Sequence, residues 1–234
     1  MRKIHKEKKL NFWPITSIPV LTLLFSKWFR ELFFENIFVS LAFFLTCLFL
    51  VIEFSKSEIG NIKVASILQF VWIRRLLIFS FSVLLLLQIN SVNLKNTYSF
   101  TPSEIDQQIQ RMNYYPPEMA HLGYILERKD EVQKVKVYIG NFISVLDFNS
   151  YFPDYFSFLG LPFFFLGIYC FCKDYTKITY TASVKPLVIL ITSSVLFQSL
   201  LGIKGKYGPF LVFPFIVLFI YLGVLKILGK LKII

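Results

Sequence analysis

The sequence predicts an all-α integral membrane protein with about six transmembrane helices, and three observations carry that prediction. Six stretches of 17 to 19 residues contain no Asp, Glu, Lys or Arg. At about 1.5 Å of rise per residue, each matches the roughly 30 Å hydrocarbon layer of a bilayer. Hydrophobic residues make up 56% of the 234 and the mean hydropathy is +0.62, values foreign to a water-soluble domain. Lys and Arg gather between alternate stretches, the pattern that retention of positive charge on the cytoplasmic side produces.

The six runs are 10–26, 36–52, 76–94, 155–172, 186–203 and 207–225. Residues 1–9 form a basic tail ahead of the first run, which carries Pro14 and Pro19. Each proline removes a backbone donor and can kink a helix, so the count falls to five if this run lies in the interface. Lys27, Trp28 and Phe29 follow it where a cleavable signal would need small residues, so an uncleaved anchor is expected. Segment 64–73 is apolar but too short to cross. It reads as an interfacial helix, with Trp72 at headgroup depth and Arg74 and Arg75 behind it.

Residues 95–154 are the soluble-looking part, an expected exoplasmic helical loop domain between the third and fourth spans, and they hold eight of the fourteen acids. Thr101-Pro102-Ser103-Glu104 is a capping box with Pro at the first helical position. Ile105, Ile109 and Met112 then recur at helical spacing until Asn113-Tyr114-Tyr115-Pro116-Pro117 stops the helix. A second helix is expected over 117–129, with Met119, Leu122 and Leu126 on one side. A third follows the charged run 127–131 and carries Val132, Val135, Ile139, Phe142, Ile143 and Leu146. Helices this short cannot bury such stripes alone, so a cap folded on its own protein is the first expectation. The membrane surface or a partner chain are the other ways to cover them.

Orientation follows from the remaining charge. With six crossings and the N-terminus inside, segments 1–9, 53–75, 173–185 and the tail 226–234 put fifteen Lys and Arg on the cytoplasmic side. The outer segments balance ten bases against ten acids, so the whole formal charge of +11 falls inside. The expected location is the cell membrane, multi-pass, with both termini cytoplasmic. Topology and anionic lipid account for the basic balance, and no nucleic-acid module accompanies it.

Chemistry is sparse. His5 and His121 are the two histidines, and the pairing of His121 with Glu118 three residues earlier falls short of a metal set, so no metal and no cofactor are expected. Cys47, Cys170 and Cys172 sit in or beside apolar runs and read as inert thiols. No formal charge lies within any run, whereas ion-coupled carriers usually place one there. The polar residues at depth are Gln88 and Asn90 in the third run and Thr192, Ser193, Ser194, Gln198 and Ser199 in the fifth. Ser194 and Gln198, four apart, share a helix face and are candidate intramembrane polar contacts.

The turn 202–209, with Gly202, Gly205 and Gly208, carries Lys204 and Lys206, candidate contacts for an anionic headgroup on a side where the charge rule disfavours lysine. It lacks the G-x-x-x-x-G-K-[ST] spacing of a phosphate loop. Three functions remain open. A non-catalytic envelope or accessory subunit would dock another membrane component through its spans and exoplasmic loop. A membrane enzyme would act on a lipid-linked or glycan substrate at the outer face through Glu104, Asp106, Glu118, Asp147 or Asp154. A small-solute transporter or channel is the third. The first is preferred because neither a catalytic group nor an ionisable intramembrane one stands out. The expected partners are the lipid bilayer, with another membrane protein or a lipid-linked substrate, and no nucleic acid.

Overall fold

The computed structural model describes residues 12–57, 65–93, 97–152, 154–175, 181–202 and 205–230. Among them are ten α-helices, three short 3-10 turns and no strand. The helices are α1 (Phe12–Phe25), α2 (Lys27–Glu35), α3 (Ile37–Ser57), α4 (Ala65–Ser91), α5 (Pro102–Asn113), α6 (Ala120–Arg128), α7 (Asp130–Leu146), α8 (Leu161–Tyr175), α9 (Thr181–Leu201) and α10 (Phe213–Lys230). Two are long and apolar enough to cross a membrane, through 37–54 in α3 and 72–91 in α4. The apolar parts of α1, α8, α9 and α10 run only 10–17 residues.

The chain divides into two compact units, residues 1–81 with 150–187 and 214–234, and residues 82–149 with 188–213. In the first unit α1 ends at Ser26, whose hydroxyl accepts from the Phe29 amide at 3.2 Å and donates to the Tyr155 carbonyl at 2.7 Å. That cap starts α2. Helix α2 buries Trp28 and Leu32. The Trp28 ring meets Phe43 of α3 edge-on, with centroids 4.9 Å apart. Asn36 then caps α3, its side-chain oxygen accepting from the Phe38 and Val39 amides, each at 3.2 Å.

Helix α4 differs from the expected pair of segments, because it runs unbroken from Ala65 through Arg74 and Arg75 to Ser91. No Gly or Pro stands in α4, and charge alone does not stop a helix. Arg74 instead donates to Glu53 of α3 through Nε at 3.3 Å and Nη2 at 3.2 Å. Glu53 lies inside the apolar stretch of α3, since that helix continues five residues past the run that ended at 52.

Helices α8 and α10 meet at glycine. A Cβ built on Gly167 would fall onto the Phe219 carbonyl, and one built on Gly223 onto the Phe163 carbonyl. Both positions are four residues from the partner aromatic on their own helix, so each backbone rests in the notch the other opens. Close approach at small residues is how helices pack where no water drives them together.

In the second unit the capping box forms as read: Thr101 Oγ1 accepts from the Glu104 amide and the Glu104 carboxylate accepts from the Thr101 amide at 2.7 Å. Helix α5 stops at Asn113, a 3-10 turn at Pro117–Met119 leads into α6, and α7 begins at Asp130. Polar contacts join these three helices. Gln108 Nε2 donates to Gln133 Oε1 at 3.2 Å, and Glu127 accepts from Arg111 Nε at 3.0 Å and Lys136 Nζ at 3.3 Å. Of the predicted apolar stripes, Ile105, Ile109, Met119, Leu122, Val135, Ile139, Ile143 and Leu146 are exposed, while Met112, Leu126, Val132 and Phe142 are half-buried. The stripes are thus covered only in part, with Phe142 packed against the cluster of Val145, Val195 and Val212.

Candidate functional site: a glycine loop held by two glutamines

The last apolar run does not begin as a helix. Residues 205–212 are turns and bends, and α10 starts at Phe213. Gly208 has φ +69 and Gly202 φ +82, left-handed values that glycine adopts without a Cβ penalty, and Pro209 has no amide to donate. Even so, Gly208, Pro209, Phe210, Leu211 and Val212 are all buried. An irregular segment inside an apolar fold has to find partners for its backbone polar groups.

Two glutamines supply them. Gln198, fully buried in the last turn of α9, donates through Nε2 to the Gly202 carbonyl at 2.8 Å. Gln88, fully buried near the end of α4, donates to the Gly208 carbonyl at 3.1 Å. The Lys206 amide reaches the Ser91 carbonyl at 3.4 Å, and a Cβ on Gly205 would stand 2.9 Å from Val92 Cγ2 and 3.1 Å from Gln88 Nε2. The loop therefore lies close against the end of α4, where a side chain at position 205 would force Val92 and Gln88 to shift.

The end of α9 is closed by the same group of residues. Tyr98 donates its hydroxyl to the Leu200 carbonyl at 2.8 Å and Thr97 to that of Leu201 at 3.5 Å, so the last carbonyls of the helix are paired. Burial, and then the neighbouring Tyr138, raise the Tyr98 phenol above its ordinary pKa. It stays a hydroxyl donor at any physiological pH.

Of the residues nominated from sequence, Gln198 and Ser194 are both buried on α9, and Gln198 acts on the loop that follows its own helix. Lys206 is exposed, its ammonium 5.2 Å from the Tyr207 ring centroid in a cation–π arrangement. Lys204 lies outside the described residues. Glu104 is engaged in its capping box, whereas Asp106, Glu118, Asp147 and Asp154 are exposed. Gln88 had been visible as a polar residue late in an apolar run, and its position there was the available signal. Asn141, whose buried Nδ2 has no partner among the described residues, had no such signal within an amphipathic helix.

The chemistry of the arrangement is that of carboxamides. The Oε1 atoms of Gln88 and Gln198 are buried and accept no hydrogen bond among the described residues. They are neutral acceptors, with no nucleophile–base pair around them. No group of three or more His, Cys, Asp or Glu suited to a metal occurs among the described residues. A separate groove of about 280 Å³ in the first unit is lined by Ile18, Leu21, Phe25, Leu159, Phe163 and Val224 among others. No titratable side chain lines it. No family model, no curated protein and no solved structure matches this chain, so its residues and their geometry are what a functional reading rests on.

Proposed function

We propose that this chain is a multi-pass membrane protein with both tails cytoplasmic, a non-catalytic accessory subunit that docks another membrane component. The observation that carries this reading is the display of large apolar side chains at the end of the amphipathic helix α2 and the start of the apolar helix α3. Phe34 and Phe38 are 89% and 81% exposed, and Phe33, Ile37 and Leu41 beside them are exposed as well. In water such a patch would drive aggregation; against lipid or a partner it is a binding surface. Phenylalanines grouped in this way make good anchors for a partner helix, since each contributes a large area at little rotamer cost. The candidate site fits the same reading, because Gln88 and Gln198 direct their donors to the protein's own loop.

The test is extraction in mild detergent, which is expected to recover a complex with a second membrane protein. Phe34→Ala combined with Phe38→Ala is expected to release that protein without lowering the yield of the chain. Recovery of the unaltered chain as a lone monomer would overturn the docking role.

One observation favours a second reading, a small-solute transporter. Irregular backbone at membrane depth occurs where it is enclosed by protein or lines a cavity, and segment 205–212, beside the buried carboxamide oxygens of Gln88 and Gln198, has that character. Flux in proteoliposomes that disappears in Gln198→Leu would support this reading over the first.

A further inference from the structure

The third helix of the 95–154 region is tied to α9 at both of its ends. Near its start, Val135 and Tyr138 line a shallow pocket with Leu200 and Tyr98. Near its finish, Val145 is buried in a cluster with Val195 of α9 and Val212 of the loop, and Phe142 packs against them. Helix α7 therefore crosses the outer end of α9 obliquely, from Leu200 down to Val195. Val195 stands six residues before the end of α9, roughly 9 Å along its axis at 1.5 Å per residue.

The two long edges of α7 differ in chemistry. One is held by polar contacts, with Gln133 bonded to Gln108 and Lys136 bonded to Glu127 and, at 2.6 Å, to the Leu126 carbonyl. The other carries Val135, Ile139, Ile143 and Leu146, which are 55%, 49%, 63% and 41% exposed. Their spacing of four, four and three keeps them on one stripe. No charged residue lies between Lys136 and Asp147. On α9, Ile189, Leu196, Phe197 and Leu200 are exposed as well.

We infer that α7 is an interfacial helix, with Val135, Ile139, Ile143 and Leu146 set among the acyl chains of the outer leaflet. Helices of this type lie with the apolar face about 5–10 Å into the boundary between headgroups and chains. That is the depth at which the crossing with Val195 places the end of α7, if α9 is a membrane span. The inference thus rests on the membrane reading above, and it moves α7 out of the aqueous loop to which its sequence position assigns it. The occupant is lipid, because the packing of Val145 on Val195 sets the stripe at the depth of the interface and no charged residue interrupts it between Lys136 and Asp147.

Spin labels on single cysteines test it, in a full-length chain whose Cys47, Cys170 and Cys172 are replaced by serine. The chain is reconstituted in vesicles of equimolar phosphatidylcholine and phosphatidylglycerol. All four stripe positions are exposed, so the label displaces no core side chain. Collisions with oxygen, which concentrates in hydrocarbon, are expected to exceed those with a water-soluble nickel chelate several-fold at 135, 139, 143 and 146. The order is expected to reverse at Glu131 and Lys134. Labels at Ile189 and Phe197 of α9 separate the two possible failures. If those are oxygen-accessible while the stripe meets nickel, or meets neither reagent because protein covers it, the inference about α7 is wrong and the membrane reading stands. If 189 and 197 meet nickel as well, the membrane reading itself fails.

Discussion

Glu127 shows how much rests on one side chain in the polar seam between α5, α6 and α7. Its side chain is 7% exposed, while Arg111 and Lys136 on either side are about half exposed. Burial by itself raises the carboxyl pKa, but the hydrogen bond from Arg111 and the charge and hydrogen bond of Lys136 outweigh it, and the net shift is downward. A carboxylate with a lowered folded pKa adds stability that is complete above its ordinary value and is lost as pH falls through the lowered one. Acid is therefore expected to loosen this three-helix seam, read as a rise in protease sensitivity within 95–154. Glu127→Gln is expected to cost about 1–2 kcal/mol at neutral pH and to flatten that acid response, since both cations can hydrate where they stand. Gln198 is the second such residue. Gln198→Leu keeps the volume but removes the donor to the Gly202 carbonyl, so the loop is expected to become more susceptible to proteolysis even if no solute is carried. Neither role was legible beforehand. The sequence showed a charged run at 127–131 and a lone polar face on α9, but which partner each side chain meets is a matter of tertiary distance.

Elements were legible where local chemistry alone decides them. The capping box at Thr101 and the stop at Tyr114–Pro117 stand at their expected places, while α7 starts at Asp130, within the charged run expected to precede it. Thr101→Ala is expected to cost about 1 kcal/mol by leaving first-turn amides unpaired, measurable as helicity lost from the isolated 95–130 peptide in an interfacial solvent. Elements were misjudged where apolarity was taken as helix or charge as a boundary. Helix α4 runs through two arginines because nothing in it breaks the backbone, and α10 starts six residues late because Gly208 and Pro209 do. The crossing of α8 and α10 went unread, although each apolar run offered a glycine for it. Gly167→Ala or Gly223→Ala would put a methyl group onto a backbone carbonyl of the other helix. Either is expected to lower the unfolding temperature in detergent by several degrees, and the pair together no more than additively, since each notch is filled from a different side.

At the scale of the whole molecule the controlling quantity is charge. Fifteen Lys and Arg fall in segments expected on the cytoplasmic side, and the outer segments balance to zero. An aqueous thiol reagent that cannot cross membranes is therefore expected to label Ser103→Cys in intact cells, and Lys226→Cys only after permeabilisation, both in a background without native cysteines. Both positions are exposed, so access depends on which side of the membrane they occupy. The reverse pattern would invert the topology, and labelling of both in intact cells would dispose of it. What the sequence determined by itself was the helical class, the apolar runs, the caps and stops, and this imbalance, because each depends on composition or on residues within a turn of one another. Tertiary structure decided that the loop helices are bonded through Gln108, Gln133 and Glu127 and leave eight of their stripe residues exposed. It also decided that glutamines from two helices hold the glycine loop and that two glycines let α8 and α10 touch. Helical periodicity reports which residues share a face; which neighbour that face meets depends on contacts between residues far apart in the chain, and periodicity carries no record of them.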